Sequence, residues 1–172
     1  ATEARLRTAL LREMADSGTD GVAVEISSHS LVLHRPWRCS FDVGVFTNLS
    51  QDHLDFHRSI EDYLEAKLLL FTEYARASKK PMVGAVNLDD PFGGRIAERA
   101  ECPVLGYGLG PACDVRAEEA QIGSDGSRFV LRTPGGSAEV ALSLPGHFNV
   151  HNALAAASAA HVMGVETGAI AE

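Results

Sequence analysis

Short apolar segments alternate with helix-forming segments in this sequence, and this alternation restricts the fold more than any other feature. Four apolar runs are predicted strands: residues 21–26, 41–47, 81–87 and 102–107. A helix opens with a capping-box pattern at residues 59–62 and is predicted to continue to about Ala77, and residues 89–91 cap another. Strands that alternate with helices form a mostly parallel sheet covered by helices, so the sequence predicts an α/β fold.

The remaining segments complete this predicted architecture. Residues 112–142 have no helical period, and their short alternating runs, broken by Gly-Ser-Asp-Gly and Pro-Gly-Gly, predict a small antiparallel meander. Helices are predicted over residues 2–16 and 149–163, and residues 166–172 are predicted to begin another. A short helix is predicted within residues 27–35 and is stopped by Pro36. A chain of 172 residues has room for one domain, or for one large piece of a bigger protein.

Composition and charge exclude several classes of function. The net charge of −8 argues against a nucleic-acid partner, since phosphate neutralisation needs clustered Lys and Arg. No apolar run reaches the length needed to span a bilayer, so no membrane insertion is predicted. The three cysteines (Cys39, Cys102 and Cys113) are an odd number without CxxC spacing, which indicates free thiols in a reducing compartment and a cytoplasmic location.

Glu25 lies at the carboxyl end of the first predicted strand, where open α/β sheets gather ligands. A buried charge there is costly unless it meets a cation or hydrogen-bond donors. A helix cap or a salt bridge would satisfy Glu25 taken alone. The neighbouring Ser27, Ser28 and His29 favour a metal-ligand role instead.

Residues 52–57 follow the second predicted strand in the same way. For any single residue of this segment a polar turn is an equally good interpretation. The position of His53 at a strand end, together with Asn48, favours a metal-ligand role. Because HxDxH also occurs in hydrolase metal sites, a zinc or manganese hydrolase that uses His53, Asp55 and His57 is an alternative.

Lys67 is an unusual residue for its predicted position. Ile60, Leu64, Lys67 and Phe71 are three or four residues apart, so Lys67 falls on the apolar face of its helix. One interpretation is a lysine whose stem packs on the core while its amine reaches outward. The other is a desolvated lysine with a lowered pKa that reacts as a free amine. Addition of CO2 would turn it into an anionic carbamate, able to hold Mg²⁺ or orient a phosphate.

Asn149 and Asn152 lie at the beginning of the Ala-rich helix. By residue type alone, Asn149 is best interpreted as the N-cap of that helix. Two amides at this point could also recognise the edge of a purine base.

Taken together, these segments resemble the central domain of the Mur ligases, the ATP-dependent amide-bond-forming enzymes of peptidoglycan synthesis. The resemblance is strongest to the branch that adds the third amino acid (diaminopimelate or lysine) to UDP-N-acetylmuramoyl-L-alanyl-D-glutamate. The matching segments, in the expected order, are EISSHSL (25–31), Arg35, FDV (41–43), FTNLSQDHLDFH (46–57), YLEAK (63–67), NLDD (87–90) and GHFNVHNAL (146–154).

The resemblance implies a role for each candidate residue. Glu25 and His53 would hold two Mg²⁺ ions, and Lys67 would be a carbamylated lysine beside the second ion. Ser27 and Arg35 would contact the UDP-N-acetylmuramoyl-dipeptide, while Asn149 and Asn152 would face the adenine of ATP. The family activates the D-glutamate carboxylate as an acyl phosphate, which the amine of the incoming amino acid attacks. The resemblance also implies a monomer for the full-length enzyme.

The chain departs from the family pattern in two places. Leu33 stands where the family often has Gln, two residues before the substrate-binding Arg, which leaves that contact unassigned. The chain contains no GxxxxGK[ST] loop, which the family carries just upstream of the matching region. We therefore expect residues 1–172 to be a single partial domain that lacks the phosphate-binding strand and the amino-acid-binding C-terminal domain, with negligible ligase activity alone. Another ligase of this superfamily, such as folylpolyglutamate synthase or cyanophycin synthetase, and a non-catalytic scaffold remain alternatives.

Overall fold

The computed structural model of the chain describes residues 2–37, 39–50 and 57–172, and its framework is a six-stranded sheet. The helices are α1 (Thr2–Asp16), α2 (Ser28–Val32), α3 (Ile60–Leu68), α4 (Glu73–Ala77), α5 (Gly93–Arg99), α6 (His147–Val162) and α7 (Thr167–Ala171). The strands are β1 (Val43–Phe46), β2 (Val83–Asn87), β3 (Val104–Gly108), β4 (Val115–Gly123), β5 (Gly126–Thr133) and β6 (Gly136–Leu142). None of the helices in these described ranges is long and apolar enough to cross a membrane.

The sheet has a parallel half and an antiparallel half. Its strand order is the same as the chain order, with β1 to β4 parallel and β4 to β6 antiparallel. Helical connections between β1, β2 and β3 allow these strands to run in the same direction, whereas tight turns join the last three. The structure thus confirms the predicted mostly parallel α/β sheet and the small meander near residues 112–142.

Helices cover the parallel strands on both faces. Successive side chains of a strand point to opposite faces, and on β2 both Ala85 and Val86 are completely buried. Val86 packs in a cluster with residues of α3 and α5, including Leu64 and Ile96, whereas Ala85 packs in a separate cluster with Leu154 and other residues of α6. The two clusters hold the sheet between the helices, and they thereby hold the ends of its strands in place.

The prediction of a strand at residues 21–26 is wrong. Residues 21–27 form neither a helix nor a strand, and the side chains of Val22 and Val24 are 48% and 53% exposed. A β-branched run becomes a strand only where a neighbouring strand accepts its backbone hydrogen bonds. In the described part of the chain β1 pairs only with β2, so this segment lies outside the sheet.

Two helix boundaries also differ from prediction. The helix predicted from residue 59 to about Ala77 is divided into α3, a 3₁₀ turn at Leu69–Phe71 and α4. Thr72 interrupts it with φ −117° and ψ −86°, and its hydroxyl donates to the Leu68 carbonyl in competition with regular helix bonds. The Ala-rich helix begins at His147 rather than Asn149, because Gly146, with φ 98°, takes the N-cap position.

The hydroxyl of Tyr74 predicts a response of this fold to alkaline pH. Tyr74 is buried and donates to the carbonyl oxygen of Leu31 at 3.1 Å, which joins α4 to α2. Burial raises the pKa of Tyr74 to about 12 from an ordinary value of 10.0. A raised pKa stabilises the folded state fully below pH 10, and this contribution is lost as the pH rises towards 12.

We therefore expect Tyr74→Phe to lower the free energy of unfolding at pH 8 by about 1 kcal/mol. The loss of stability between pH 8 and pH 11 should be smaller in this variant than in the unmodified chain. Urea denaturation at both pH values measures the two effects. Equal losses of stability between the two pH values would contradict the proposed contribution of Tyr74.

Candidate active site

The carboxyl ends of the parallel strands carry polar loops that are bonded to one another. The side-chain amide of Asn87, at the end of β2, donates to the Thr47 carbonyl after β1 at 2.7 Å. The backbone N–H of Leu49 donates to the carboxylate of Asp90 at 3.2 Å. Ligands of open α/β sheets bind at this edge, so these bonds define the floor of a candidate site.

Asp89 joins the same edge to α6. Its Oδ2 atom accepts from the backbone N–H of Leu109, after β3, at 2.6 Å. The same oxygen lies 2.9 Å from Nε2 of His151, in the second turn of α6, and Nδ1 of His151 lies 3.0 Å from the His147 carbonyl oxygen. The first turns of α6 are therefore held beside the loops that follow β2 and β3.

Lys67 lies on the inner side of α3, as its spacing predicts. Leu64 and Phe71 on the same face are buried, Lys67 itself is partly buried, and its Nζ atom lies 5.0 Å from the centroid of the Tyr63 ring. Desolvation by burial lowers the pKa of the Lys67 amine, and the carboxylates of Asp90 and Glu25 partly offset this lowering. Glu25 and Asp90 thus both act electrostatically on Lys67, although Asp90 was not among the predicted site residues.

Ser27 and Arg35 lie at the two ends of α2. Ser27 is the N-cap of this helix, and its hydroxyl accepts from the Ser30 N–H at 3.2 Å and donates to the Ser30 hydroxyl. At the other end, His34 has a φ of 49°, and the N–H of Arg35 donates to the Ser30 carbonyl. The helix thus ends before Pro36 through a left-handed residue, and the turn sets the backbone position of Arg35.

Asn149 and Asn152 lie in the first turns of α6, but Asn149 is not its N-cap. The Asn149 amide donates to the carbonyl oxygen of Pro145 at 2.8 Å, and Asn152 is exposed. The N-cap interpretation, favoured from residue type, is therefore wrong, because Gly146 occupies that position. The alternative role in base recognition stays a prediction.

The donor set in the described residues suits a hard divalent cation only in part. His53, Asp52 and Asp55 lie outside the described residues, and within the described ones no three His, Cys, Asp or Glu side chains form a metal-binding group. The carboxylates of Glu25 and Asp90 nevertheless both act electrostatically on Lys67. A carbamate on Lys67 would add a third negative charge to these two carboxylates, and a divalent cation such as Mg²⁺ would offset part of that charge. In this respect the residues fit the predicted ion.

His57 is another buried polar side chain of this region. It is 6% exposed, its Nε2 atom lies 2.8 Å from the Ser28 hydroxyl, and its ring stacks on Tyr63. The partner Ser28 is distant in sequence and in another element, so spacing could not have identified this pair. The contact of Tyr63 with Lys67, by contrast, follows from their i, i+4 spacing on α3.

Comparison with known proteins identifies the family. Residues 4–160 match the Mur ligase middle domain, and the chain belongs to this family. It is 45% identical over 162 residues to the UDP-N-acetylmuramoyl-L-alanyl-D-glutamate–2,6-diaminopimelate ligase of Geobacter metallireducens, covering 93% of this chain and 32% of that protein. The ligase of the same name from Streptomyces coelicolor is 43% identical over 167 residues, covering 95% of this chain and 32% of that protein.

The fold agrees with this relationship. A solved structure of a UDP-N-acetylmuramoyl-L-alanyl-D-glutamate–2,6-diaminopimelate ligase superposes with a TM-score of 0.85 and 33% sequence identity. The superposition covers 97% of this chain and 34% of that one. The chain therefore spans about a third of the length of the relatives that it matches.

Proposed function

We propose that this chain is the ATP-binding central domain of a ligase that adds the third amino acid to UDP-N-acetylmuramoyl-L-alanyl-D-glutamate. The observation that carries the proposal is Lys67, which is partly buried on α3 beside the Tyr63 ring and has a lowered pKa, in a chain of the Mur ligase family. We further propose 2,6-diaminopimelate as the incoming amino acid, because the relatives are named for it.

The proposed reaction transfers the γ-phosphoryl group of ATP to the D-glutamate carboxylate, which releases ADP and gives an acyl phosphate. The amine of the amino acid then attacks the acyl carbon, forms the amide bond, releases inorganic phosphate and loses a proton to solvent. Such chemistry depends mostly on positioning and on charge neutralisation around the phosphoryl group. Two Mg²⁺ ions, held by Glu25, His53 and Lys67, would supply that neutralisation.

Lys67 would serve this site as a carbamate. Its neutral amine forms an N–C bond to CO2, and the electron pair of one C=O π bond moves to its oxygen, which becomes a carboxylate oxygen. One amine proton leaves to solvent. Only the unprotonated amine can react with CO2. Desolvation lowers the pKa of the Lys67 amine and so raises the fraction of the lysine that is unprotonated.

The other proposed roles belong to residues that flank α2 and to residues of α6. Ser27 and Arg35, which flank α2, would contact the muramoyl-dipeptide. Asn149 and Asn152 would face the adenine, at the end of α6 that His151 and Asp89 hold in place. The free thiols of Cys39, Cys102 and Cys113 are typical of a reducing compartment, and on this basis we propose a cytoplasmic enzyme, monomeric at full length.

A metal-dependent hydrolase is less consistent with the described residues. That alternative needs His57 as a ligand together with His53 and Asp55. His57 is buried, and its Nε2 atom already lies at hydrogen-bond distance from Ser28. We therefore favour the ligase.

Substrate dependence of ATP turnover tests the proposal directly. In the full-length enzyme, release of ADP should require both UDP-N-acetylmuramoyl-L-alanyl-D-glutamate and diaminopimelate, and one tripeptide product should form for each ADP. Replacing diaminopimelate by lysine is the matched control for the choice of amino acid. ATP turnover that ignores the muramoyl-dipeptide would overturn the proposed function, whereas turnover with lysine alone would overturn only the amino-acid assignment.

A further inference from the structure

A buried series of contacts leads from α2 to Lys67 and has no part in the chemistry proposed above. Ser28 and His57 are 4% and 6% exposed, and the Ser28 Oγ atom lies 2.8 Å from Nε2 of His57. The His57 ring stacks on the Tyr63 ring, with centroids 4.8 Å apart and planes 14° apart. The Nζ atom of Lys67 lies 5.0 Å from the centroid of the same Tyr63 ring.

The polar members of this series are costly to bury. A hydroxyl and an imidazole removed from water must find hydrogen-bond partners, and apolar side chains of similar size would fill the space without that requirement. A buried polar pair does, however, fix one arrangement of the elements that it joins. Here it fixes the start of α2 against His57, three residues before α3 begins, across 29 positions of sequence.

We propose that Ser28, His57 and Tyr63 position Lys67 relative to the segment that carries Glu25 and Ser27. This inference rests on the proposed function, in which Lys67 must meet Glu25 at the phosphoryl group. Ser28 and His57 are positioning residues in this scheme, since they act on Lys67 through the Tyr63 ring.

The arrangement of the elements explains how Ser28 affects the position of Lys67. Tyr63 and Lys67 are four residues apart on α3, so the ring forms a wall beside the lysine amine. The stacked imidazole of His57 sets the plane of that ring. Ser28 holds the imidazole and directly follows Ser27 in the chain. A change at Ser28 therefore alters where the Lys67 amine lies with respect to the carboxylates of Glu25 and Asp90.

Substitutions in the full-length enzyme can separate the hydrogen bond from the ring contact. Ser28→Ala and His57→Phe remove the hydrogen bond, and His57→Phe keeps a stacked ring. His57→Gln keeps a polar atom for Ser28 and removes the ring, while Ser28→Thr retains the hydroxyl. Ser158→Ala is the matched control, because Ser158 is also fully buried but donates within α6, to the Leu154 carbonyl.

We expect Ser28→Ala and His57→Phe to lower kcat about thirtyfold with less than a threefold change in KM, since small misplacements in an active site cost up to about a hundredfold. The ¹³C NMR signal of a Lys67 carbamate in ¹³C-bicarbonate buffer should fall in the same variants. Ser28→Thr should remain within about threefold of the unmodified enzyme in kcat.

Two results would overturn the inference. One is that Ser28→Ala and His57→Phe match Ser158→Ala in kcat and in the carbamate signal. The other, decisive even if those two variants do not fold, is that Tyr63→Leu, an apolar replacement without the ring, leaves both quantities unchanged. Loss of the proposed function itself is recognised separately, because ADP release by the unmodified enzyme would then not depend on UDP-N-acetylmuramoyl-L-alanyl-D-glutamate.

Discussion

Lys67→Met should lower the kcat of the full-length ligase about a thousandfold, because removing one preorganised electrostatic group from a site of this kind costs about a hundred- to a thousandfold. Methionine keeps an unbranched apolar stem, so the packing of α3 on the sheet should survive. Steady-state release of ADP in the presence of both substrates measures the effect.

Lys67→Arg distinguishes a carbamate from a simple cation at this position. Arginine keeps the positive charge but has no neutral amine that could react with CO2. We expect it to be as inactive as Lys67→Met. Lys79→Met, at an exposed lysine in the loop before β2, is the matched control and should keep full activity. If Lys67→Arg retained activity, Lys67 would act as an ammonium and the carbamate would be excluded.

Gly93→Ala should destabilise the fold by about 3 kcal/mol, the upper part of the range for overpacked cores. Gly93 is buried in the first turn of α5, and a Cβ atom there would overlap the carbonyl oxygen of Asn87. Because this contact is with backbone, no side-chain rotation can relieve it. The loop that carries Asp89 and Asp90 would have to move, so we also expect loss of ligase activity.

The adjacent glycine provides a strict control for that experiment. A Cβ atom at Gly94 would meet nothing within 4 Å, and the residue is exposed. Gly94→Ala should leave stability unchanged or raise it by up to about 1 kcal/mol, the difference in helix propensity between the two residues. Urea denaturation of the two variants compares them directly. Equal stabilities would show that the loop after β2 adapts to the added methyl group.

Local patterns predicted most of this fold because they depend on neighbouring residues only. The capping serine at Ser59 and the inward position of Lys67 follow from spacing along one helix, and the structure has both. Strands β1, β2 and β3 follow from short apolar runs. Residues 21–26 have a similar composition but pair with no strand in the described part of the chain, and sequence alone does not reveal which apolar runs find a partner.

The candidate site was less predictable because its contacts join distant segments. Nothing in the spacing of Asp90 and Lys67, or of Ser28 and His57, indicates that these pairs approach each other. The loop after β2 was predicted to cap a helix and was selected as part of a family motif, but no role at the site was predicted for either aspartate. The predicted roles of Glu25, Ser27, Arg35, His53, Asn149 and Asn152 stay predictions.

Asp89 and Asp90 are adjacent, yet their side chains serve different parts of the molecule. Asp89 is bonded to His151 of α6, while Asp90 contributes to the electrostatic field at Lys67. A single peptide bond therefore joins Asp89, which is bonded to α6, to Asp90, which acts electrostatically on Lys67. Adjacent side chains of this dipeptide thus connect the first turns of α6 with the electrostatic environment of Lys67.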